Sequence, residues 1–358
     1  MLTTDRYQRA AHVEALYTRV PFPRPFILDD DYEAARRSPS QADALRMRIA
    51  ETADRTRATF LRQMAFDFRP YGRGAGLKIL DAGCGTGNKA VFLSLFFPEA
   101  QVVAFDFNEA SLKHLRYAKE IVGLANLTVM EADLTNDLPF SEEFDHIFSL
   151  GVLHHLPDPE AGLSRLVSLL EPSGLITLYL YDHWGRTPVI LFNRFVVHLA
   201  DNRPDDMDRI MRKFRLNTKT PGWFEDPVLE LIDQEGRRPT GGLQDLVPPI
   251  LFRALRRWRR GSDYPLYNNW DLCANPLVHL YDVDSIYGIA ERAGLQVVSL
   301  RFRSGIKVDD PRDFLKETLR QRDLANLESR IDTMTDREVY VLTECLLRPN
   351  AFNINLRR

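Results

Sequence analysis

The sequence predicts an α/β fold built on a doubly wound, mostly parallel sheet. Short apolar strands alternate with helices from residue 77 to residue 181, and the alternation returns at residues 282–302. Such alternation is typical of a parallel sheet whose crossover helices cover both faces. A turn signature, Glu171–Gly174, leads into the fifth strand. The predicted strands are Lys78–Asp81, Gln101–Phe105, Leu127–Met130, Phe144–Leu150 and Leu175–Tyr181, and the predicted helices are Lys89–Phe97, Ala110–Val122 and Glu160–Leu170.

Four regions are expected along the chain. Residues 1–70 form a helical arm, interrupted by three prolines in five residues and ending in a long helix at 41–66. Residues 71–182 hold the core of the sheet, and residues 183–277 form a helical cap. Residues 278–358 complete the sheet with strands at 295–302 and 351–356, separated by a helical insertion at about 306–349. The expected buried stripe of the long helix is Leu45, Ile49, Phe60, Leu61 and Met64.

The composition is that of an ordinary globular chain, with 358 residues of which 44% are hydrophobic and 27% are charged. A formal net charge of -3 argues against a surface built to hold nucleic acid. Cys84, Cys273 and Cys345 lack the spacing of a metal site, so we expect reduced thiols and no metal. The N-terminus has no signal-peptide core, and no apolar stretch approaches the roughly 20 residues that a membrane helix needs. We therefore expect a cytoplasmic protein without a membrane partner.

The strongest chemical signal is the motif Asp81-Ala82-Gly83-Cys84-Gly85-Thr86-Gly87 at the end of the first strand. Glycines there let the backbone turn sharply and come close to a ligand. A dinucleotide site would have the spacing GxGxxG, whereas this motif is GxGxG with Asn at position 88. The motif resembles motif I of the class I S-adenosylmethionine-dependent methyltransferases. That resemblance implies a Rossmann-like fold and S-adenosylmethionine as the cofactor.

Acids follow the next two strands where that family has them. A carboxylate at Asp106 can accept both ribose hydroxyls, although a helix cap or a surface acid is the alternative. By resemblance, Asp133 accepts from the adenine amino group and the Leu134 N–H faces the ring, the alternative being a turn acid. Asp81 is expected to neutralise the methionine ammonium, with the methionine carboxylate near the following helix start. The full expected cofactor set is Asp81, Ala82, Gly83, Cys84, Gly85, Asp106, Phe107, Asp133, Leu134, Leu150 and Gly151.

The acceptor side is expected at the ends of the fourth and fifth strands. His154 and His155 follow the fourth strand, and imidazole titrates near neutrality, so either is a candidate base. Tyr181 and His183 end the fifth strand. The alternatives are that the histidines pack structurally in their turn and that Tyr181 and His183 anchor the cap. Because the methyl donor is already activated, the family needs no universal catalytic residue.

We expect the acceptor to be a small molecule, apolar or aromatic in part, because aromatic residues are dense at 264–271 and 279–282. No Asn/Asp-Pro-Pro-Tyr and no cysteine follow the fourth strand, which argues against familiar amine methylation and against covalent cytosine chemistry. One alternative is an RNA or protein methyltransferase that uses the basic cluster Arg253–Arg260. The others are a dinucleotide oxidoreductase and a cofactor-binding regulator without catalysis. The oligomeric state stays open.

Overall fold

The computed structural model describes residues 13–15, 17–18, 21–63, 68–140, 142–201, 203–213, 275, 277–304 and 308–358. Three predicted features therefore lie outside the described residues: Met64, the cluster Arg253–Arg260 and the aromatic stretch 264–271. The strands are β1 Lys78–Ala82, β2 Gln101–Asp106, β3 Leu127–Glu131, β4 Phe144–Leu150, β5 Leu170–Tyr181, β6 Gln296–Arg303 and β7 Ala351–Arg357. The helices are α1 Asp29–Arg37, α2 Pro39–Gln63, α3 Asn88–Phe96, α4 Glu109–Val122, α5 Pro159–Ser168, α6 His183–Leu199, α7 Pro204–Lys213, α8 Val283–Arg292, α9 Pro311–Arg320, α10 Glu328–Thr333 and α11 Asp336–Leu347.

The seven strands form one sheet in the order β3-β2-β1-β4-β5-β7-β6. Strands β1 to β5 pair in parallel. The connections between them are long enough to bring the chain back to the end of the sheet where each parallel strand begins. Only β7 runs antiparallel to its neighbours β5 and β6. The prediction of a doubly wound, mostly parallel sheet is confirmed.

The strand order reverses between β1 and β4, which are neighbours in the sheet although two strands separate them in the chain. In open α/β sheets a crevice forms at the carboxyl ends of the strands at such a point. Asp81 lies opposite Ala104 of β2 and Phe148 of β4, so these three strands end at the same edge. The glycine motif therefore opens onto the crevice.

Helices cover both faces of the sheet. On one face, α1 to α4 pack against fully buried residues such as Ile79, Val102 and Phe148. On the other face, α5 and α8 pack against Leu80 and Leu178. Burying one such side chain stabilises the fold by about 1.5–3 kcal/mol. Of the predicted stripe on α2, Leu45 and Ile49 are buried, while Phe60 and Leu61 are half-buried.

The fifth strand begins earlier than the sequence predicts. The predicted turn at 171–174 lies inside β5, which starts at Leu170. The pairing partner of β5 shifts there, from Leu170 opposite Phe144 to Leu175 opposite His146. Pro172 has no N–H to give to a neighbouring strand, so the chain bulges instead of turning away.

A buried polar ladder crosses four strands. His146 of β4 contacts the Thr177 hydroxyl of β5 at 2.7 Å, and that hydroxyl donates to the Asn355 Oδ1 of β7 at 2.6 Å. The Asn355 amide in turn donates to the Ser299 hydroxyl of β6 at 2.9 Å. Burial lowers the pKa of His146 to about 3, so its ring is neutral. The ladder satisfies polar groups that would otherwise be buried without partners, and it ties β7 to both neighbouring strands.

The chain divides into two compact units. One contains Pro25–Arg186 and Leu277–Arg358, and thus the whole sheet. The other contains Met1–Arg24 and Thr187–Pro276. Within this second unit the Asn193 amide donates to the Asn275 carbonyl at 2.8 Å, and the Asn275 amide donates to the Tyr17 hydroxyl at 3.1 Å. The predicted boundary at residue 70 differs, because residues 25–63 pack with the sheet.

Candidate functional site at the carboxyl edge of the sheet

The motif after β1 forms a tight bend whose glycines have left-handed φ angles. Gly83 has φ 74° and Gly87 has φ 77°, conformations that residues with a Cβ rarely adopt. Space also requires glycine: a Cβ at Gly83 would lie 2.5 Å from Val152, and one at Gly87 would lie 2.3 Å from Leu115. The Gly83 and Cys84 N–H groups both donate to the Phe105 carbonyl at 2.9 Å. The bend is therefore held against the end of β2.

Asp106 lies at this bend. Its carboxylate accepts from the Gly85 N–H at 2.8 Å and from the Asn108 N–H at 2.9 Å. The alternative of a helix cap does not apply, because Asn108 caps α4 by accepting from the Ser111 N–H at 2.9 Å. Burial raises the pKa of Asp106 to about 6, although the N–H groups of Asn108 and Gly85 stabilise its charged form. A carboxylate thus lies against the bend, where a ligand approaching the glycines would meet it.

Asp81 is buried beneath the same bend, with 2% of its surface exposed. Its Oδ2 atom has no hydrogen-bond partner among the residues that the structure describes. Burial raises the pKa of Asp81 to about 6, while Lys89 favours the charged form and Asp106 opposes it. The Ala90 N–H in the first turn of α3 also stabilises the carboxylate.

The remaining residues of the expected cofactor set lie at or just after the ends of β1 to β4. Asp133 accepts from the Thr135 N–H at 2.8 Å and from the Asn136 amide at 3.0 Å, so its carboxylate closes its own turn. It is close enough to Asp106 to raise the pKa of that carboxyl. Whether Asp133 also receives a ligand stays a prediction. Ala82, Cys84 and Leu134 are buried, whereas Phe107, Leu150 and Gly151 are half-buried.

Three of the four acceptor-side candidates pack into one aromatic cluster. The His154 ring stacks on Tyr181 with centroids 4.0 Å apart and meets the His155 ring edge-on at 4.2 Å. His154 is fully buried, and neither of its ring nitrogens makes a hydrogen bond of good geometry with a described residue. Burial lowers the pKa of His154 well below its usual value, so the ring is neutral. His155 Nδ1 lies 2.8 Å from the Leu277 carbonyl, which fixes that ring. The fourth candidate, His183, is exposed at the start of α6.

Tyr179 of this cluster was not predicted from the sequence, whereas Arg186 ends the stretch Tyr181–Arg186 that was expected at the active edge. Tyr179 is half-buried and meets Tyr181 edge-on at 5.9 Å. The Arg186 guanidinium lies 4.2 Å from the centre of the Tyr181 ring and donates to the Asn350 carbonyl at 2.9 Å. The two-residue period of a strand places Tyr179 and Tyr181 on one face, and that signal was available. The contact between Arg186 and the Tyr181 ring has no local signal, because the position of α6 relative to β5 is a tertiary feature.

A pair of buried carboxyl groups lies beneath α6. The Asp182 Oδ1 accepts from the Gly185 N–H at 2.7 Å, which caps α6. Glu344 of α11 accepts from the Val283 N–H at 3.2 Å and shares a hydrogen bond with Asp182. Burial and this hydrogen bond raise the pKa of Glu344 to about 8, and the charge of Asp282 acts in the same direction. A pKa raised to about 8 keeps the Glu344 carboxyl mostly protonated at neutral pH.

Replacing Glu344 with glutamine is expected to make stability less dependent on pH between about 4.5 and about 8. A carboxyl whose folded-state pKa is raised contributes stability at low pH, and this stability is lost as pH rises from about 4.5 to about 8. The amide retains both a donor for Asp182 and an acceptor for the Val283 N–H. Thermal unfolding at several pH values tests this, with the exposed Glu51→Gln as the control. Parallel losses in the wild type and in Glu344→Gln would contradict it.

Within the described ranges, no group of three or more His, Cys, Asp or Glu side chains is arranged to hold a metal ion. No helix in the described part of the chain is both long enough and apolar enough to cross a membrane.

Comparison with known proteins finds a domain family that matches part of the chain and a solved structure with a similar fold. Residues 73–222 match the family described as a methyltransferase domain. An uncharacterized protein from Synechococcus sp. is 33% identical over 130 residues, which make up 36% of this chain and 31% of the relative. A trans-aconitate 2-methyltransferase from Escherichia coli O1:K1 is 33% identical over 127 residues, which make up 36% of this chain and 47% of the relative. The chain therefore matches less than half the length of either relative.

Among solved structures, PKMT2 from Rickettsia typhi superposes with a TM-score of 0.52 at 13% identity. The match covers 83% of this chain and 52% of that one, and it supports the fold. The strand order, the glycine bend with Asp106 against it, and the family match agree with one another. Residues 73–222 thus match a methyltransferase domain, and the glycine motif within them resembles that of the class I S-adenosylmethionine-dependent methyltransferases.

Proposed function

We propose that the protein transfers a methyl group from S-adenosylmethionine to a small-molecule acceptor. The observation that carries this proposal is the pair of buried carboxyl groups at the glycine bend. Asp106 lies against the backbone where a ribose would approach, and the Oδ2 of Asp81 is buried without a partner among the described residues. An unpaired buried carboxylate oxygen is costly unless a donor reaches it, and the ammonium of a methionine moiety is such a donor.

Different residues of the chain would bind the cofactor and the acceptor. Asp106 would hold the ribose hydroxyls, Asp133 with Leu134 the adenine, and Asp81 the ammonium. When bound, S-adenosylmethionine supplies an electrophilic methyl group on a sulfonium. An O, N, S or C nucleophile of the acceptor takes that methyl group, and S-adenosylhomocysteine is the other product. What the protein adds is positioning in a site that excludes water, and a base where the nucleophile carries a proton.

We propose His154, His155, Tyr181 and His183 as the residues closest to the acceptor. Burial keeps the His154 imidazole neutral, but the lowered pKa also makes it a weak base. Tyr179, Tyr181 and the exposed Trp184 offer aromatic surface, which supports an acceptor that is apolar or aromatic in part. The curated relatives named trans-aconitate 2-methyltransferase support a small-molecule acceptor.

Calorimetry and a transfer assay together test the proposal. S-adenosylhomocysteine should bind to the full chain, whereas NAD should not. Transfer from a labelled donor is then measured with trans-aconitate and with a panel of aromatic acids and phenols. Binding of NAD alone would overturn the proposal in favour of an oxidoreductase. Cofactor binding without transfer to any small molecule, protein or RNA would favour a regulator.

Binding of S-adenosylhomocysteine is expected to tighten as pH rises from about 5 to about 7. Asp81 must be charged to pair with the ligand ammonium, and burial raises the pKa of that carboxyl to about 6. Each pH unit below that value should therefore weaken binding by up to about tenfold, and binding should release a proton. Titrations at several pH values measure this. The dependence should be shallower in Asp81→Asn, and an equally steep curve would remove Asp81 from the ligand contact.

A further inference from the structure

An arginine is held over one of the acceptor-side tyrosines. The guanidinium carbon of Arg186 lies 4.2 Å from the centre of the Tyr181 ring, and its Nε donates to the Asn350 carbonyl at 2.9 Å. A guanidinium over an aromatic face is stabilised by the ring as well as by the hydrogen bond. The side chain is half-buried. Arg186 is therefore fixed against the aromatic cluster instead of extending freely into solvent.

The backbone that carries Arg186 is also fixed. Gly185 comes so close to the turn before β7 that a Cβ there would lie 2.0 Å from the Pro349 carbonyl oxygen. The Asp182 N–H donates to the Asn350 carbonyl at 3.2 Å, and the Asp182 carboxylate accepts from the Gly185 N–H at 2.7 Å. The first turn of α6 is thus attached both to the end of β5 and to the start of β7. It presents Arg186 at a defined position.

A series of contacts connects Arg186 to the glycine bend. The backbone at Gly83 passes so close to Val152 that a Cβ there would lie 2.5 Å from it. Val152 begins the turn that holds His154, and the His154 ring stacks on Tyr181 with centroids 4.0 Å apart. Because β4 and β5 are parallel, the residues that end or follow them lie at one edge of the sheet. Arg186 therefore lies at the same edge as the proposed cofactor site.

A fixed guanidinium beside aromatic rings suits an organic acid. Guanidinium is always charged in proteins, and its planar N–H groups match the two oxygens of a carboxylate. The rings of Tyr179 and Tyr181 offer apolar surface next to this charge. The buried carboxyl groups of Asp182 and Glu344 lie beneath the same helix. They would oppose a doubly charged phosphate more strongly than a singly charged carboxylate.

We propose that Arg186 binds a carboxylate of the acceptor, which makes the acceptor a small organic acid with an apolar or aromatic part. This inference rests on the proposed function, because it names the substrate class of the same site. It assigns the binding and orientation of the acceptor to Arg186, and it applies whichever atom of the acceptor takes the methyl group. Tyr181, on which the guanidinium lies, would contact the apolar part.

The test compares acids with their neutral amides by ligand-observed nuclear magnetic resonance on the full chain with saturating S-adenosylhomocysteine. The probes are benzoate with benzamide and cinnamate with cinnamamide, so that each pair shares one shape and differs in charge. In the wild type, at least one acid should bind about tenfold or more tightly than its amide. In Arg186→Met that acid should weaken about 10- to 100-fold, the effect of lost charge-assisted hydrogen bonds, while its amide stays within about twofold.

The controls separate contact with the acid from folding. Arg337 of α11 also lies over a tyrosine, 5.2 Å from the centre of the Tyr287 ring, and Arg337→Met should leave all four affinities unchanged. Arg186→Lys keeps the charge without the planar fork, so it should retain part of the preference for the acid. Binding of S-adenosylhomocysteine to each variant reports an intact cofactor site. If Arg186→Met does not fold, Arg186→Gln replaces it.

Three results would overturn the inference. The first is a wild-type chain that binds neither acid more tightly than its amide, which includes a chain that binds none of the four probes. The second is a preference for the acid that survives in Arg186→Met. The third is tighter binding of phenyl phosphate than of benzoate, which would assign Arg186 to a phosphate ester. Failure of the proposed function gives a different pattern, because the wild-type chain would then not bind S-adenosylhomocysteine.

Discussion

Replacing Asp106 with alanine is expected to weaken binding of S-adenosylhomocysteine by roughly 1–3 kcal/mol. The carboxylate would lose its bonds to the ribose hydroxyls. The change also removes the acceptor of the Gly85 and Asn108 N–H groups, which lie 2.8 Å and 2.9 Å from its oxygens. The bend would therefore lose part of its attachment to β2 as well as a ligand contact. Calorimetry on the full chain measures the effect.

A second substitution separates these two contributions. Asp106→Asn keeps one acceptor for the N–H groups and removes the charge, so it should fold like the wild type and bind more weakly. Asp137→Ala removes an exposed acid beyond the end of β3 and should leave the affinity unchanged. If both Asp106 variants fold and bind as tightly as the wild type, Asp106 does not contact the cofactor.

Replacing Gly87 with alanine is expected to lower the free energy of unfolding by several kcal/mol. The left-handed conformation at φ 77° costs a residue with a Cβ about 1–2 kcal/mol. The new Cβ would also lie 2.3 Å from Leu115, which is fully buried in α4. Such overpacking costs about 1–3 kcal/mol more. Chemical denaturation followed by circular dichroism measures the change, and binding of S-adenosylhomocysteine should fall with it.

A double-mutant cycle with Leu115→Ala tests the steric part of this prediction. Leu115→Ala alone leaves a cavity, whereas in combination with Gly87→Ala the new methyl group enters the space that leucine leaves. The two changes should therefore be less destabilising together than the sum of their separate effects. Simple additivity would mean that the backbone conformation alone requires glycine. Gly123→Ala, at φ 79° with open space around the position, is the control for backbone strain without a clash.

The parts of the site that could be predicted from the sequence are those at strand ends. Because parallel strands end at one edge, Asp81 after β1 and Asp106 after β2 were expected to meet, and the Asp106 carboxylate does reach the glycine bend. The prediction used only local patterns and the rule for parallel sheets.

The acceptor side could be predicted only in outline. His154 and His155 were chosen because they follow β4, yet the structure buries His154 against Tyr181 and fixes His155 on Leu277, more than 120 residues away in the chain. The same holds for Asp182 and Glu344, which share a hydrogen bond across a similar separation. Contacts between distant segments depend on how whole elements pack, and a single sequence carries no local signal for them.

The position of β7 has a consequence for the order of assembly. β7 follows β6 in the chain but lies between β5 and β6, so β6 has no native neighbour in the sheet until β7 is in place. During synthesis, β1 to β5 can form a five-stranded parallel sheet, while β6 and the preceding helix α8 remain without a strand partner. The last step is the insertion of a strand whose Asn355 links Thr177 to Ser299. A nascent chain released before that strand has left the ribosome would expose the edge of β5, the strand that carries Tyr179 and Tyr181, to any other unpaired strand.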